Sequence, residues 1–482
     1  MRIIRSIKAF YDRYPYLRYI FVVIFGFIYF GLIQASSAFA DPESFYHTKI
    51  TVLMLKQGII KDFPWLVYTV LTDIYIDHHF LYHVFLLPFV KFLPAFIGAK
   101  VATVFINTGF IVLFYGFMRS QKIKWPFFFV FLLLSSAPFI FRIDLVKASG
   151  FSLVFIMLIL ILMFQRKYIW LGIISFFYVW AYGGWPLSII LAGVFLFASF
   201  IANLLLNDYK WKKLLKKLEW RPLIATVLGS SAGLLINPYF SQNLKFYWIQ
   251  TIQIALVNYK AKVGVGAEWY GFEATELITY GGGIFLVLFA GMLFFFGRIA
   301  IKKKININYK VIRNIFFFLI CAGFFFVLTL KSRRNTEYSF PFLVMTAAFI
   351  FKYFWDKDVY QWLKKNFLKI FKWEILYKVF LAYLGVMLVI AFGANFWRIK
   401  TGLAEGTPFD KYKIAMEVVK NNTEPGEIIF HSDWDDWPML FYHNIYNRYI
   451  VGLDATFMYK YNVELYEKWR DITWGDYVED PY

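Results

Sequence analysis

The amino-acid sequence predicts an all-α polytopic membrane protein, with about 11–13 transmembrane helices and a small C-terminal extracytoplasmic α/β domain. Three observations carry this. Of 482 residues, 60% are hydrophobic, 23% are aromatic and only 17% are charged, against roughly 25% charged in soluble proteins. Windows such as Tyr19–Ile33, Phe127–Phe141, Ser152–Phe164 and Phe316–Leu330 hold almost no charge and have the length of bilayer-spanning helices. The basic residues, finally, are concentrated in regularly recurring loops. A soluble enzyme, a disordered chain and a disulfide scaffold are excluded. The single cysteine, Cys321, lies in an apolar run, so no intrachain disulfide exists.

The stretches 1–18, 119–124, 165–168, 207–221, 298–313 and 351–378 hold 29 basic residues against 6 acids, a net +23 within a whole-chain +20. Translocating Lys and Arg is disfavoured, so these loops stay cytoplasmic. The charge is thus a topology signal, with no nucleic-acid partner implied. Segment 1–18 is long and basic, and the following apolar run lacks a small-residue cleavage site, the pattern of an anchor rather than a removed signal peptide. Spans follow near 19–38, 126–141, 149–164, 169–183, 186–206, 222–237, 279–297, 314–330, 339–355 and 377–397, and 80–118 crosses once or three times. The N-terminus falls inside, the C-terminus outside.

This divides the chain into a membrane domain, 1–397, with external loops 39–79 and 238–279, and an outer segment, 398–482. The outer segment holds 15 acids and 9 basic residues. Lys411–Asn421 reads as an amphipathic helix, and Glu427–His431 and Tyr449–Leu453 read as short strands. No closing element precedes Asp480-Pro481-Tyr482, the pattern of a truncated domain.

Ionisable residues at a membrane face are costly unless used, so the outer polar clusters are the candidate chemistry. Asp41-Pro42-Glu43 is followed by Phe45-Tyr46-His47. Asp41 could ligate a divalent cation or act as a base, and a helix cap is its plainer reading. In Asp77-His78-His79-Phe80-Leu81-Tyr82-His83, His79 and His83 have the i, i+4 spacing of a zinc pair, yet lack a third ligand and also fit a helix cap or polar cavity. In Arg142-Ile143-Asp144-Leu145-Val146-Lys147, Asp144 could join Asp41 at a metal or pair with Arg142 or Lys147. Glu268 sits in a long outer loop, a length that favours function. Lys331-Ser332-Arg333-Arg334 places cations outside against the charge bias, and arginine forks suit phosphate. Pairing with Glu337 is the plain alternative. Asp433-Trp434-Asp435-Asp436-Trp437 opens the outer domain, to bind a polar ligand or start a helix.

Taken in order, these clusters resemble the GT-C superfamily of integral-membrane glycosyltransferases, and within it the catalytic subunit of oligosaccharyltransferases. Asp41-Pro42 with its aromatics resembles the family's Asp-Pro motif in the first external loop. Phe141–Phe151 sits at its second acidic motif, and Val179-Trp180-Ala181-Tyr182-Gly183-Gly184-Trp185 is similar to its Trp-Gly-Gly stretch. Asn237-Pro238-Tyr239 leads to the loop bearing Glu268, and Arg333-Arg334 with Glu337-Tyr338 resembles its arginine motif. The tail has the family's succession of helix, Asn422-Thr423-Glu424-Pro425, strand, acidic-aromatic motif, Asn447-Arg448 and Val451-Gly452-Leu453-Asp454. It reads Asp-Trp-Asp-Asp-Trp where the family has Trp-Trp-Asp-Tyr-Gly, which leaves the acceptor open.

The resemblance implies a GT-C-like fold and transfer of a sugar or oligosaccharide from a polyprenyl-phosphate or polyprenyl-diphosphate donor to a protein or glycan acceptor at the outer face of a prokaryotic plasma membrane. It implies catalytic roles for Asp41, Asp144 and Glu268, with Mg2+ or Mn2+ held by Asp41 and Asp144. Arg333 and Arg334 would bind the donor phosphate. His47, Asp77, His78, His79, Trp434, Asp435 and Asp436 would be acceptor-binding or structural. A lipid-linked sugar transporter or flippase, or a non-catalytic membrane assembly protein, are the alternatives. The charge pattern itself makes a testable statement: cysteines at positions 41, 268 and 433 should react with an impermeant reagent in intact cells. Protection of position 268 until lysis would overturn the topology.

Overall fold

The computed structural model describes residues 14–206, 218–251, 262–264, 266–301, 308–371 and 374–476, and they are mostly helical. The chain runs through α1 (Leu17–Gln34), β1 (Ala38–Phe39), α2 (Glu43–Gln57), α3 (Phe80–Phe92), α4 (Ala95–Ser120), α5 (Pro126–Leu133) and α6 (Ala137–Asp144). It continues with α7 (Ala148–Phe164), α8 (Tyr168–Ala181), α9 (Leu187–Leu206), α10 (Arg221–Leu235), α11 (Gln242–Tyr247), α12 (Ala274–Ala300) and α13 (Tyr309–Lys331). Then come α14 (Thr336–Phe354), α15 (Lys357–Phe371), α16 (Glu374–Ala404), β2 (Thr407–Pro408), α17 (Lys413–Asn421), β3 (Ile428–Ile429), α18 (Trp437–His443), β4 (Arg448–Tyr449), α19 (Thr456–Tyr461) and α20 (Val463–Trp474).

Six of these helices are long and apolar enough to cross a membrane among the described residues: α1, α4, α9, α12, α13 and α16. The bent pair α5–α6 would make a seventh. Their lipid-facing sides keep large apolar side chains at the surface, such as Ile24 and Ile28 on α1 and Phe289 and Phe296 on α12, as expected of helices solvated by hydrocarbon. Other expected spans are shorter apolar helices, namely α7, α8 and α10. The 80–118 stretch contains one full-length apolar helix, α4, preceded by the shorter α3.

The single span expected over 126–141 is broken, with α5 and α6 meeting at 77°. The cause is local. Ser136 is extended ahead of Ala137-Pro138, and proline lacks the N–H that a continuous helix would need. The exposed Ser135 carbonyl takes a hydrogen bond from Asn395 Nδ2 on α16 at 2.6 Å. The bend delivers the end of α6 to the partners of Arg142, which are Glu268 and Glu337. Helix α14 is buried almost all round, the pattern of a central helix. Helices α8 and α10 approach at backbone distance: a Cβ at Gly229 would collide with the Gly172 carbonyl, and one at Gly233 with Phe176 O.

The tail holds the two short strands expected of it, and they pair with each other. Its strands are two residues long. β2 pairs antiparallel with β1 from the first loop, β3 pairs parallel with β4, and Leu66 bridges to Tyr449. Tyr449 N donates to Trp65 O at 2.8 Å and Val67 N to Tyr449 O at 3.1 Å. Loop and tail share one apolar core in which Tyr46, Phe63 and Leu66 pack with Trp437, Phe441 and Tyr449. The helix bound expected at 397 shifts as well, because α16 continues to Ala404.

The glycine contact yields a test. Gly229→Val should lower the thermal midpoint of detergent-solubilised protein by the equivalent of about 1–3 kcal/mol, the usual cost of overpacking. Gly193→Val, at a helical glycine with open space, should leave it unchanged.

Candidate functional site

The charge cluster is built on two tight connections. The first is the turn from β1 into α2, where Asp41 Oδ1 accepts the Glu43 N–H at 2.9 Å. Asp41 therefore does cap its helix with one oxygen, while its other oxygen, Oδ2, meets Lys147 Nζ at 2.8 Å. The second is the turn from α6 to α7, where Lys147 is extended and directs its side chain inward, with only 8% of it exposed. Lys147 Nζ lies 2.8 Å from Glu43 Oε2 as well, and 3.8 Å from Glu268 Oε2.

Glu268 is the hub of the cluster. It pairs with Arg142 through Oε2 and with Arg334 Nη2 through Oε1 at 2.6 Å. Arg142 also reaches Glu337 Oε2 at 3.4 Å. The 3₁₀ turn Ala267–Trp269 that carries Glu268 is fixed to the turn Arg333–Asn335 by Ser332 Oγ donating to Glu268 O at 2.8 Å and by Arg333 N donating to Tyr270 O at 2.9 Å. Only glycine fits at 271, where a Cβ would meet Leu330 O. Arg334 lies over the Trp269 ring at 4.3 Å. Burial opposes charge on Glu268, but Arg334, Lys147 and Arg142 outweigh it and hold its carboxyl well below the usual range. Burial likewise pulls the Lys147 ammonium down, and Asp41, Glu268 and Glu43 together push it above its ordinary value. Both are therefore held in their charged forms.

The other sequence candidates divide. Asp144 is 1% exposed; its Oδ1 accepts from Gln34 Nε2 at 3.1 Å and from Asn107 Nδ2 at 3.0 Å. Asp41 and Asp144 share no hydrogen-bond or ion-pair partner, and the ion pairs of Arg142 and Lys147 go elsewhere. Arg333 turns outward to Glu276 at 3.0 Å and over the Phe272 ring. Glu337 is held by Arg142 and not by Arg333. The histidine expectation changes too. His79 precedes α3, and its backbone N–H is taken by Asp77 Oδ1 at 3.0 Å. His83 Nδ1 meets Asp77 Oδ2 at 2.7 Å, and its Nε2 lies 2.8 Å from His47 Nδ1. The i, i+4 pair is thus a buried Asp77–His83–His47 chain, with the His79 ring against Tyr182. Burial holds His47 and His79 well below the ordinary imidazole value and brings His78 down to about 4.

From the tail, Trp434 lies near Gly266, and Asp436 accepts from Tyr412 OH at 2.8 Å. Asp435 stands over the first loop. Partial desolvation there, joined by the negative charges of Asp41 and Asp433, pushes its carboxyl up to about 7, although its side chain keeps contact with solvent. Among the described residues, no group of three or more His, Cys, Asp or Glu is placed to hold a metal ion. The residues that sequence reasoning underrated are Lys147, Arg142, Glu43 and His83. For the two cations a signal existed, since they sit beside apolar runs on the outer side, where positive charge is disfavoured.

No family model matches the chain, and no curated protein is similar to it at a significant level.

Two outcomes follow. Glu268→Gln removes the counter-charge that three cations share, while Glu337, Asp41 and Glu43 still pair with two of them, and should cost about 1.5–3 kcal/mol, the scale of a hydrogen bond to a charged group, read as a lower thermal midpoint. For Asp435 the folded-state value of about 7 lies above the ordinary 3.8, so folding takes up a proton between those pH values and stability falls as pH rises through that window. Asp435→Asn should therefore gain on wild type progressively from about pH 4 to 7 and hold its advantage above. A pH-independent difference would contradict the assignment.

Proposed function

We propose that this chain is an integral-membrane glycosyltransferase that moves a sugar or oligosaccharide from a polyprenyl-phosphate or polyprenyl-diphosphate donor to a protein or glycan acceptor at the outer face of a prokaryotic plasma membrane. The observation that supports this reading is the convergence of Arg142, Lys147 and Arg334 on carboxylates beside the bilayer. Charge-assisted forks of this kind suit the oxygens of a phosphate, and a lipid carrier would bring such a phosphate to this depth. The resemblance in motif order to the GT-C transferases supports the same reading, with the tail as its outer domain.

Arg334, 35% exposed, is the most open cation of the cluster and is flanked by Trp269, a surface on which a sugar or isoprenoid can pack. It is the residue to hold the donor phosphate. The sugar's anomeric carbon then faces the first loop and the tail. An acceptor hydroxyl or amide nitrogen gives its lone pair to that carbon as the bond to the phosphate oxygen breaks, its electron pair staying on the phosphate. The acceptor's proton passes to Asp41. Asp435 and Trp434 cover the acceptor side. Arg333, paired away to Glu276, has the lesser part.

The metal that the resemblance implies does not fit these residues. Asp41 Oδ2 is already bound by an ammonium, and two amide groups donate into Asp144 Oδ1. A divalent ion needs oxygen ligands and would sit among three fixed positive charges.

Arg334→Ala removes a charge-assisted contact of about 1.5–3 kcal/mol and should slow transfer roughly 10- to 100-fold while the protein still inserts and folds. Arg334→Lys should restore it only in part. The test is purified protein in lipid with a lipid-linked sugar and candidate acceptors, with mass spectrometry of the products. Movement of donor between leaflets without transfer would identify a flippase instead.

A further inference from the structure

We propose that Lys147 Nζ meets the donor phosphate alongside Arg334, so that sugar transfer here needs no divalent metal. The proposal rests on the glycosyltransferase reading and deepens it. Its basis is the place the ammonium occupies. Lys147 reaches from the turn before α7 into a pocket of carboxylates, 2.8 Å from Asp41 Oδ2, 2.8 Å from Glu43 Oε2 and 3.8 Å from Glu268 Oε2. An ammonium has three donors, and three carboxylates from two separate external loops surround this one. Such a set of oxygens around one positive centre is what a hard cation would require, and the lysine supplies that centre covalently.

The neighbours agree with this assignment. Glu268 is shared with Arg142 and Arg334, so a divalent ion drawn to these oxygens would meet two guanidinium groups and would have to expel a buried ammonium that its carboxylates stabilise. The cage nonetheless has one partner able to leave. Glu43 is the most open member, with 33% of its side chain exposed, against 21% for Asp41 and Glu268. A phosphate oxygen can take the place of Glu43 on Nζ while Asp41 and Glu268 keep the ammonium in position. In the step itself, the bond between the anomeric carbon and the phosphate oxygen breaks with its electron pair on oxygen. The added negative charge falls next to Lys147 Nζ. The acceptor's lone pair closes the new bond, and its proton goes to Asp41. Nothing else enters the balance.

The experiment uses the full chain in nanodiscs and has two readouts. In transfer assays, chelation with excess EDTA should leave the wild-type rate within about twofold, and Lys147→Met should lower it on the order of 100-fold, the scale of one lost electrostatic contact in a transition state. In electron paramagnetic resonance, wild type should not bind Mn2+ at about millimolar ion. Lys147→Met, which empties the cage while keeping its carboxylates, should bind it, and Lys147→Arg should not. Loss of wild-type transfer on chelation with recovery on adding Mn2+, or Mn2+ bound to wild type at a site abolished by Asp41→Asn, would overturn the proposal. The resonance readout stands whether or not transfer is detected, so a failure of the enzyme reading is distinguishable from a failure of the lysine assignment. Should Lys147→Met not fold, the wild-type and Lys147→Arg spectra decide alone.

Discussion

A buried cluster of three cations and their carboxylates is the constraint on which this end of the molecule depends. Charges withdrawn from water are tolerated only with partners at close range, and here the partners come from distant parts of the chain. Asp41 and Glu43 arrive from the loop after α1, Arg142 and Lys147 from the turn around α6, Glu268 from the loop before α12, and Arg334 and Glu337 from the start of α14. Each of these segments is fixed because one buried charge would be stranded if it moved. Gln34 at the end of α1 adds a further tie, its amide donating to Asp144 O at 2.6 Å. The bend between α5 and α6 then has a structural consequence, since a straight span would carry Arg142 and Lys147 away from their partners.

The membrane helices and the outer cluster divide the physical labour. Below, association is a matter of close packing, as at Gly172 and Gly229, and of aromatic contacts such as Phe318 with Phe349 at 4.4 Å. Lipid offers no hydrophobic drive between helices, so small residues and shape decide their approach. Above, tail and first loop bury a common core around Trp437 and Tyr449, which brings Trp434 and Asp435 over the cluster. The tail is thus a cover contributed by the chain itself.

The helices were legible in the sequence to the extent that their signal is local. α13 and α1 stand out because each contains a long run without charge, at 314–330 and 19–34, and the positive-inside bias is a sum over loops that needs no contacts. The α5–α6 break was less legible: two serines and Pro138 interrupt the run only slightly, and the bend is stabilised by Asn395 from a helix far along the chain. The tail strands were placed within a few residues, at 428–429 and 448–449, yet the bridge from Tyr449 to Leu66 in the first loop leaves no mark in composition. At the site, Asp41, Glu268 and Arg334 could be singled out as charges in costly places. Their partners could not, because i, i+4 spacing made Glu337 the obvious mate of Arg333 and proximity made Lys147 the obvious mate of Asp144. The observed pairs, Arg142 with Glu337 and Lys147 with Asp41, join residues whose meeting is set by helix packing.

The central claim is that this charge cluster receives the phosphate of a lipid-linked sugar. The most direct test is an experimental structure of the protein in nanodiscs with a non-cleavable phosphonate analogue of such a donor. The account requires the phosphonate oxygens within hydrogen-bonding distance of Arg334 and of Lys147 Nζ, with Glu43 displaced. A phosphonate bound elsewhere, with the pairs of Lys147 to Asp41 and Glu43 left intact, would contradict it.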